Sequence, residues 1–348
     1  MLSEMVGQPE ALRRASAALP EQRTLFGELR EAAARARVFV FTGMGGSYNA
    51  CYPAINELAA RGIAALQVDS AELLHFRKSM LDSDVLLVMA SQSGESAEVV
   101  ALASEVRGQG ARSFIVSVTN GLDNTLAGAA DLPFDTRAGE ETGPSTITFA
   151  ASLVTLAGVA RVMSGTDPDE AVTQTIVDSG SAAAATERLL NDPEARAADL
   201  ARWHEGRETV VLLARGSARA ASEMGALLLK EAVGIPAESL QTAQFRHGPL
   251  ELAGPHMAAI VVATEQATHK LDVALAANLS ASDAAVLLVS PDGDAPENVR
   301  AVATGHVDRL LAPAAGTVPA QLLAWRLAIE RGREPGRLRR ATKVTTSE

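Results

Sequence analysis

Cysteine is almost absent from this sequence, and Cys51 is the single one. One thiol cannot form an intramolecular disulfide or a cluster of cysteine metal ligands. Cys51 stands in a stretch with helical periodicity, so we expect a small buried side chain there. The histidines outside the motifs below show no spacing typical of a metal site, and no metal is expected; they are His75, His204, His256, His269 and His306.

Positive charge and long apolar runs are also scarce. The net charge of −11 argues against a large nucleic-acid surface, although a few amides and hydroxyls can still hold an anion locally. No uninterrupted apolar stretch reaches the roughly 18 to 20 residues of a membrane span. The start, Met1-Leu2-Ser3-Glu4, lacks a basic segment followed by an apolar run. We therefore expect a cytoplasmic protein without nucleic-acid or membrane partners.

What the sequence does contain is core-forming material in two similar halves. Its 348 residues, 47% of them hydrophobic, suffice for two domains of roughly 150 residues. In the first half, short apolar runs alternate with helical patterns such as 97–106, which predicts a parallel sheet with helices on both faces. The predicted strands are 38–41, 64–68, 85–89 and 114–118.

The same pattern restarts near residue 210. Strand-like runs at 210–213, 258–262 and 285–289 alternate with helical stretches at 270–278 and 320–329. A strand, a glycine–serine turn and a helix occur near 38–60 and again near 210–232, which indicates an internal duplication. Alanine-rich residues 164–198 predict connecting helices, so the domain boundary is expected near 165–195.

Two loops of the first half are candidates for anion binding. Gly43-Met44-Gly45-Gly46-Ser47 follows the first strand, and Ser91-Gln92-Ser93-Gly94-Glu95-Ser96 follows the strand at 85–89. The second loop offers three hydroxyls and one amide at the start of a predicted helix, where unpaired N–H groups favour phosphate or sulfonate. Capping alone would explain one such serine but not the whole set.

Nucleotide cofactors are disfavoured by the same loops. Gly43-x-Gly45 with Asp69 further on is only a partial dinucleotide fingerprint, because Tyr48 stands where the third glycine belongs. No phosphate-binding P-loop of the nucleotide-triphosphate type occurs. No cofactor is expected.

Several motifs together resemble the sugar isomerase (SIS) domain family in its double-domain form. The loops at 45–50 and 91–96 are similar to its glycine–serine turn and phosphate loop. Further matches along the chain are Gln8-Pro9, Leu229-Lys230-Glu231, Ala237-Glu238, Arg246-His247-Gly248-Pro249-Leu250 and Lys343-Val344-Thr345. The resemblance covers nearly the whole chain in order. The double-domain proteins that this sequence resembles are the isomerase half of glutamine–fructose-6-phosphate amidotransferase, glucosamine-6-phosphate deaminases and fructosamine deglycases.

The resemblance implies an α/β fold of two tandem SIS domains, each a flavodoxin-like three-layer sandwich. The expected organisation is an N-terminal helical arm (1–25), a first SIS domain (26–165), connecting helices (166–195), a second SIS domain (196–333) and a tail that contributes to the active site (334–348). It also implies a homodimer whose sites are completed across the interface.

The resemblance further implies a division of labour among residues. Glu231 would move a proton between C1 and C2, His247 would assist ring opening, and Lys343 would lie over the sugar. A sugar's 6-anion, usually phosphate, would be held by Ser47, Ser91, Gln92, Ser93 and Ser96, with Gly45, Gly46 and Ser145 as further contacts. Without the motif, Glu231 would read as a solvated helix residue paired with Lys230 or Arg215, and Lys343 as part of a charged tail.

Three positions depart from the amidotransferase pattern: Met224, Leu228 and Ile147 stand where that family carries glutamate, lysine and lysine. The amidotransferase reaction also needs a glutaminase half that begins with a nucleophilic cysteine. The 348 residues of this sequence contain no such half. We expect an isomerase or deaminase that acts through an enediol or enolamine. A 6-sulfo sugar isomerase, a fructosamine-6-phosphate deglycase and a non-catalytic sensor stay open as alternatives.

Overall fold

Ten β-strands alternate with helices in a computed structural model that describes residues 1–82, 84–108 and 113–347. The strands are β1 (Val38–Gly43), β2 (Ala65–Gln67), β3 (Val85–Ala90), β4 (Phe114–Thr119), β5 (Leu132–Asp135), β6 (Thr209–Ala214), β7 (Ala237–Gln241), β8 (Met257–Val262), β9 (Ala285–Ser290) and β10 (Arg300–Ala303). Glu348, the last residue of the predicted tail, lies outside the described residues.

Fifteen α-helices are found in the same described ranges. They are α1 (Leu2–Val6), α2 (Gln8–Ala18), α3 (Arg23–Arg35), α4 (Gly45–Ala50), α5 (Tyr52–Ala60), α6 (Ser70–Phe76), α7 (Ala97–Gly108), α8 (Thr125–Ala129), α9 (Ile147–Met163), α10 (Pro168–Leu189), α11 (Pro193–His204), α12 (Arg219–Leu228), α13 (Thr242–Phe245), α14 (His269–Ser280) and α15 (Ala312–Glu330). Shorter 3₁₀ turns cover Leu19–Gln22, Lys78–Asp82, Gly216–Ala218 and Pro249–Leu252, and a π-helical turn covers Leu229–Val233.

Internal contacts divide the chain into two compact units. The N-terminal unit comprises Glu10–Glu140, Ile147–Gly180 and Arg339–Glu348. The C-terminal unit comprises Met1–Pro9, Glu141–Thr146 and Ser181–Leu338. Each unit therefore includes a segment from the far end of the chain.

The N-terminal unit is built on a parallel sheet in the order β2-β1-β3-β4-β5. Val40 of β1 pairs with Leu66 on one side and with Leu87 on the other. The chain first moves from β1 to β2 and then crosses back to β3, so the strand order reverses between β1 and β3. In open α/β sheets a ligand crevice forms at this reversal, beyond the carboxyl ends of the strands.

The C-terminal unit repeats this architecture with the order β10-β9-β8-β6-β7. All five strands are parallel, and Leu212 of β6 pairs with Ile260 of β8. The reversal of strand order falls between β6 and β8. The predicted α/β class and the duplication into two parallel sheets flanked by helices are confirmed.

The central strands were predictable because both their faces are buried. Every residue of β3 and of β8 is buried, as expected of parallel strands covered by helices on both sides. The apolar runs predicted at 38–41, 85–89, 210–213 and 258–262 all lie in strands. The helices predicted at 97–106, 270–278 and 320–329 lie in α7, α14 and α15.

Three strands had no prediction, namely β5, β7 and β10. Each lies at an edge of its sheet, where one side of the strand has no partner strand. Their residues are mixed in polarity, as in Ala237–Gln241 with its Glu238 and Ser239. Apolar runs therefore miss them.

Two further expectations from the sequence concern the burial of Cys51 and the length of apolar helices. Cys51 is fully buried, as expected, and burial raises the pKa of its thiol to about 12, which keeps the sulfur protonated. Within the described ranges, no helix is both long and apolar enough to span a bilayer.

Candidate functional site

The two candidate anion loops flank the strand reversal of the N-terminal unit. Gly45, Gly46 and Ser47 lie in the first turn of α4, directly after β1. The loop 91–96 joins β3 to α7. Because β1 and β3 are neighbouring parallel strands, both loops emerge at the same edge of the sheet.

A hydrogen bond joins the two loops. The backbone N–H of Gln92 donates to Oγ of Ser47 at 3.2 Å. Gly45 permits the turn that presents Ser47, since its φ of +53° is in the left-handed region that favours glycine. The structure thus brings together, within one unit, the residues predicted to hold the anion.

The serines of the second loop accept hydrogen bonds from its own backbone. Oγ of Ser91 accepts from the N–H of Gly94 at 3.2 Å, and Oγ of Ser93 accepts from the N–H of Glu95 at 3.1 Å. A hydroxyl that accepts an N–H bond still has its own proton to donate. Ser47, Ser91 and Ser93 can therefore each donate a hydroxyl proton, as an anionic oxygen requires, although Oγ of Ser91 also lies 3.5 Å from Oγ of Ser96.

Gly94 fixes the shape of this loop. Its φ is +67°, and an added Cβ would lie 1.9 Å from Oδ1 of Asn124. Asn124 in turn caps α8, since the same Oδ1 accepts from the N–H of Ala127 at 2.9 Å. A side chain at position 94 would thus displace the cap of the neighbouring helix.

The one acidic residue of the loop is held by α8. Oε1 of Glu95 accepts from the N–H of Thr125 at 2.6 Å, and Oε2 accepts from its hydroxyl at 2.9 Å. A carboxylate is favourable at a helix N-terminus because the helix dipole is positive there. This pairing partly offsets the repulsion between Glu95 and a bound anion.

The C-terminal tail is tied to the start of α7. The backbone N–H of Ala97 donates to the carbonyl of Thr345 at 2.9 Å. Lys343 and Val344 are half-buried, whereas Arg339 and Arg340 are exposed. The tail segment that carries Lys343 therefore lies beside the helix start that follows the loop 91–96.

Glu231 lies in the C-terminal unit on the π-helical turn that continues α12. Gly234, with φ of +70°, ends this turn, and its N–H donates to the carbonyls of Leu229 and Lys230. π-Turns are rare and are frequent at functional sites. Sequence reasoning found Glu231 but not the π-turn, for which the residues gave no signal.

Arg215 pairs with Asp272 through its Nε, which donates to Oδ1 at 2.8 Å. The Asp272 side chain is buried and that of Arg215 is half-buried. Burial raises the pKa of Asp272, while the hydrogen bonds from Arg215 and Thr268 oppose that rise. This ion pair gives Arg215 a structural role at the end of β6.

His247 follows α13 and is exposed, as are Leu250 and Leu252 just after it. Gly248 adopts φ of +120°, which starts a 3₁₀ turn at Pro249. The sequence Arg246-His247-Gly248-Pro249-Leu250 therefore forms a largely exposed loop of the C-terminal unit.

Ser145 belongs to the segment 141–146 of the C-terminal unit. This segment is fixed by two acids: Glu4 accepts from the N–H groups of Thr142 and Gly143, and Glu141 accepts from the N–H of Thr146. Ser145 thus precedes α9 in an ordered turn.

The three departures from the amidotransferase pattern are part of the hydrophobic interior. Met224 and Leu228 are fully buried on α12, and Ile147 is buried at the start of α9. These positions supply packing where the amidotransferases carry charged side chains.

Asp69, considered above as a ribose ligand, instead caps α6. Its Oδ1 accepts from the N–H of Glu72 at 2.9 Å. Over the described residues, no cluster of three or more His, Cys, Asp or Glu could hold a metal.

Candidate anion loops beside a strand reversal, in a duplicated parallel α/β fold, are typical of proteins that bind small ligands at the carboxyl edge of a sheet. The chain matches the SIS domain family model twice, over residues 34–160 and 205–331. The chain belongs to the SIS domain family, as two tandem copies.

Comparison with known proteins agrees with this assignment. The chain is 29% identical, over its full length, to glutamine–fructose-6-phosphate aminotransferase (isomerizing) from Pyrobaculum aerophilum, and it spans 57% of that protein's length. It superimposes on the C-terminal domain of glucosamine-fructose-6-phosphate aminotransferase from Francisella tularensis with a TM-score of 0.85, 22% identity and 97% coverage of both chains. Glucosamine-6-phosphate deaminase from Thermotoga maritima gives a TM-score of 0.71 at 20% identity, with 96% and 98% coverage.

Proposed function

We propose that this chain is a sugar isomerase or deaminase that acts at C1 and C2 of a hexose or amino hexose with an anionic 6-substituent, phosphate being the first candidate. The observation that carries the proposal is the convergence of Ser47 with the loop 91–96 at the strand reversal of the N-terminal unit. Such a set of donors at a helix start matches an anion better than a neutral sugar.

The proposed chemistry needs one base that takes a proton from one carbon and returns it to the next. Glu231 is the proposed base, and its position on a π-turn supports a functional role. His247 is proposed to assist ring opening, since imidazole exchanges protons near neutral pH. Lys343 is proposed to stabilise the developing oxyanion as a cation.

The names of related proteins support reactions at C1 and C2. One relative is an isomerizing aminotransferase, and one structural neighbour is a deaminase of glucosamine 6-phosphate. The chain spans about half the length of the curated relatives it matches, so their whole activity does not transfer to it.

The buried Met224, Leu228 and Ile147 favour a substrate other than that of the aminotransferases. Loss of three charged side chains changes the polar contacts that a sugar could make. A 6-sulfo sugar isomerase and a fructosamine-6-phosphate deglycase fit this change. A non-catalytic sensor of a sugar phosphate is the second candidate, and the same three replacements favour it.

We also propose a cytoplasmic homodimer in which His247 acts in the partner's site. The support is the exposed loop that carries His247, in which Leu250 and Leu252 are 37% and 50% exposed. Exposed apolar side chains next to a functional residue are typical of an interaction surface.

The test is proton exchange at C2 of candidate sugars in deuterated water, followed by NMR. The panel comprises 6-phospho and 6-sulfo hexoses, their 2-amino derivatives and fructosamine 6-phosphate. We expect exchange, turnover or ammonia release with at least one of them, and its loss in Glu231→Gln. Binding without any reaction across the panel would establish the sensor, and absence of binding would refute both proposals.

A further inference from the structure

The glycine–serine turn of the C-terminal unit holds a carboxylate of its own chain. Oε1 of Glu265 accepts from the backbone N–H of Ser217 at 2.6 Å. The Glu265 carboxyl group also lies against Gly216, where an added Cβ would be 2.8 Å from Cδ. Gly216 thus allows an anion to approach the backbone closely, the usual role of glycine in phosphate-binding turns.

This turn has the same backbone geometry as the anion turn of the N-terminal unit. Gly216 and Gly45 both have φ of +53°. The residues before them are also alike, with φ and ψ of −127° and 161° at Arg215 and −130° and 149° at Met44. Both turns follow the strand that begins the reversal of its sheet.

The second loops of the two units correspond as well. The N–H of Ser91 donates to Val118 of the next strand, and the N–H of Ala263 donates to Val289 in the same way. At the helix starts, Val100 donates to the carbonyl of Ser96, and Asp272 donates to that of Thr268. Loop 263–268 is therefore the counterpart of loop 91–96 in length and in position between strand and helix.

These correspondences show what has replaced the anion-binding hydroxyls. Ala218 stands where Ser47 stands, two positions after the paired glycines, and Ala263 stands for Ser91. Glu265 stands for Ser93. The C-terminal unit has thus exchanged three hydroxyl donors for two methyl groups and one carboxylate, which accepts from the N–H of Ser217.

A cleft adjoins Glu265 on the side away from the turn. It has a volume of about 660 Å³ at the carboxyl ends of β8, β9 and β10. The cationic groups Lys270 and Arg309 and the imidazole of His269 line it, together with the carboxylates of Glu265, Asp292 and Asp308. This volume is in the range of small-molecule sites. Oγ of Ser217, fully buried in the adjacent turn, has no hydrogen-bond partner in the described part of the chain.

We infer that the carboxyl edge of the C-terminal unit is a second anion cleft, closed by the chain's own Glu265 carboxylate. Glu265 is a specificity-determining residue that restricts the chain to one anionic sugar, held by the N-terminal unit. The inference rests on the proposed function for its assignment of the first anion site. Once the Glu265 carboxylate is removed, we expect the C-terminal turn to bind phosphate and sugar phosphates.

The test counts phosphate sites by calorimetry with inorganic phosphate as the probe. The wild-type chain is expected to bind one phosphate, and S91A/S93A is expected to bind none at the same concentrations. In that background, E265S and the fuller replacement A218S/A263S/E265S should restore one site per chain, and phosphate should raise their melting temperature. E265Q is the matched control: it keeps the size and acceptor oxygen of Glu265 and should restore no site.

The outcomes separate this inference from the proposed function. Two phosphates on the wild-type chain, or no phosphate site in folded E265S and A218S/A263S/E265S, would overturn the closed cleft. A wild-type chain that binds no phosphate and no hexose 6-phosphate would refute the first anion site. The variant A218S/A263S/E265S would still test the second cleft in that case. If E265S does not fold, E265A in the same background takes its place.

Discussion

Oγ of Ser47 lies 3.2 Å from the backbone nitrogen of Gln92, 45 positions further along the chain. This hydrogen bond links two loops that follow different strands. It makes the proposed anion site a property of the folded sheet rather than of either loop alone.

Replacing Ser91 and Ser93 together by alanine should weaken binding of hexose 6-phosphates by about 2 to 4 kcal/mol, because about two charge-assisted hydrogen bonds are lost. Calorimetry measures the change. Ser113→Ala is the matched control: Ser113 is also buried, but it precedes β4 and donates to the carbonyl of Leu81 at the opposite edge of the sheet. If the double variant and the wild type bind hexose 6-phosphates with equal affinity, the loop does not take part in anion binding.

Gly94→Ala should destabilise the N-terminal unit and abolish anion binding, since the added methyl group meets the side chain of Asn124. Gly62→Ala separates strain from collision, because Gly62 has a similar φ of +74° and nothing within 4 Å of the new Cβ. Strain alone costs roughly 1 to 2 kcal/mol. Calorimetric melting should therefore show a larger loss for Gly94→Ala, and only that variant should lose anion binding.

Mixing inactive Glu231→Gln with inactive His247→Ala should restore part of the activity through hybrid sites, if His247 acts in the partner's site. Subunit exchange is verified first by mass spectrometry of differently labelled chains. Each variant incubated alone provides the baseline. Exchanged but inactive mixtures would show that each site is completed within one chain.

Deletion of residues 342–348 should lower turnover by at least about a hundredfold, the scale expected for loss of one stabilising cation. The melting temperature should change little, because most of residues 341–347 are exposed and the backbone hydrogen bond from Ala97 to Thr345 is worth about 1 kcal/mol. Lys343→Met keeps the tail and removes only the charge, so it should reproduce the loss. Borohydride with substrate should label Lys343 only if a Schiff base forms. Full turnover in the truncated chain would show that the tail, including Lys343, is dispensable for the reaction.

Stability should fall as the pH drops below about 6.5, in part because of His204. Burial and the nearby charge of Arg331 lower the pKa of His204, so the unfolded chain takes up a proton near pH 6.5 while the folded chain does so only at lower pH. His204→Gln should make the melting temperature less dependent on pH between 7.5 and 5.5. His256→Gln, at a site that is 76% exposed, is the control and should leave the dependence unchanged. If the melting temperature changes equally with pH in the wild type and in His204→Gln, His204 does not contribute to the pH dependence.

The sequence predicted those parts of the fold whose residues are buried on all sides. β3 and β8 appear as continuous apolar runs because both faces are covered, whereas the edge strands β5 and β10 carry polar residues and gave no such signal. The hydroxyls of loop 91–96 were predictable because they cluster within six residues. The contact of Glu265 with Ser217 was not, since it joins residues 48 positions apart and depends on strand register.

The exchange of terminal segments between the two units has a practical consequence for dissecting the protein. A fragment that stops at Gly180 would lack residues 339–348. It would therefore also lack the carbonyl of Thr345, which accepts from the N–H of Ala97 at the start of α7. A fragment that starts at Ser181 would lack residues 1–9 and 141–146, including the buried Gln8 whose amide pairs with Gln321 of α15. Linear halves of this chain are therefore poor stand-ins for its domains, and a faithful version of either would have to be assembled from non-contiguous pieces.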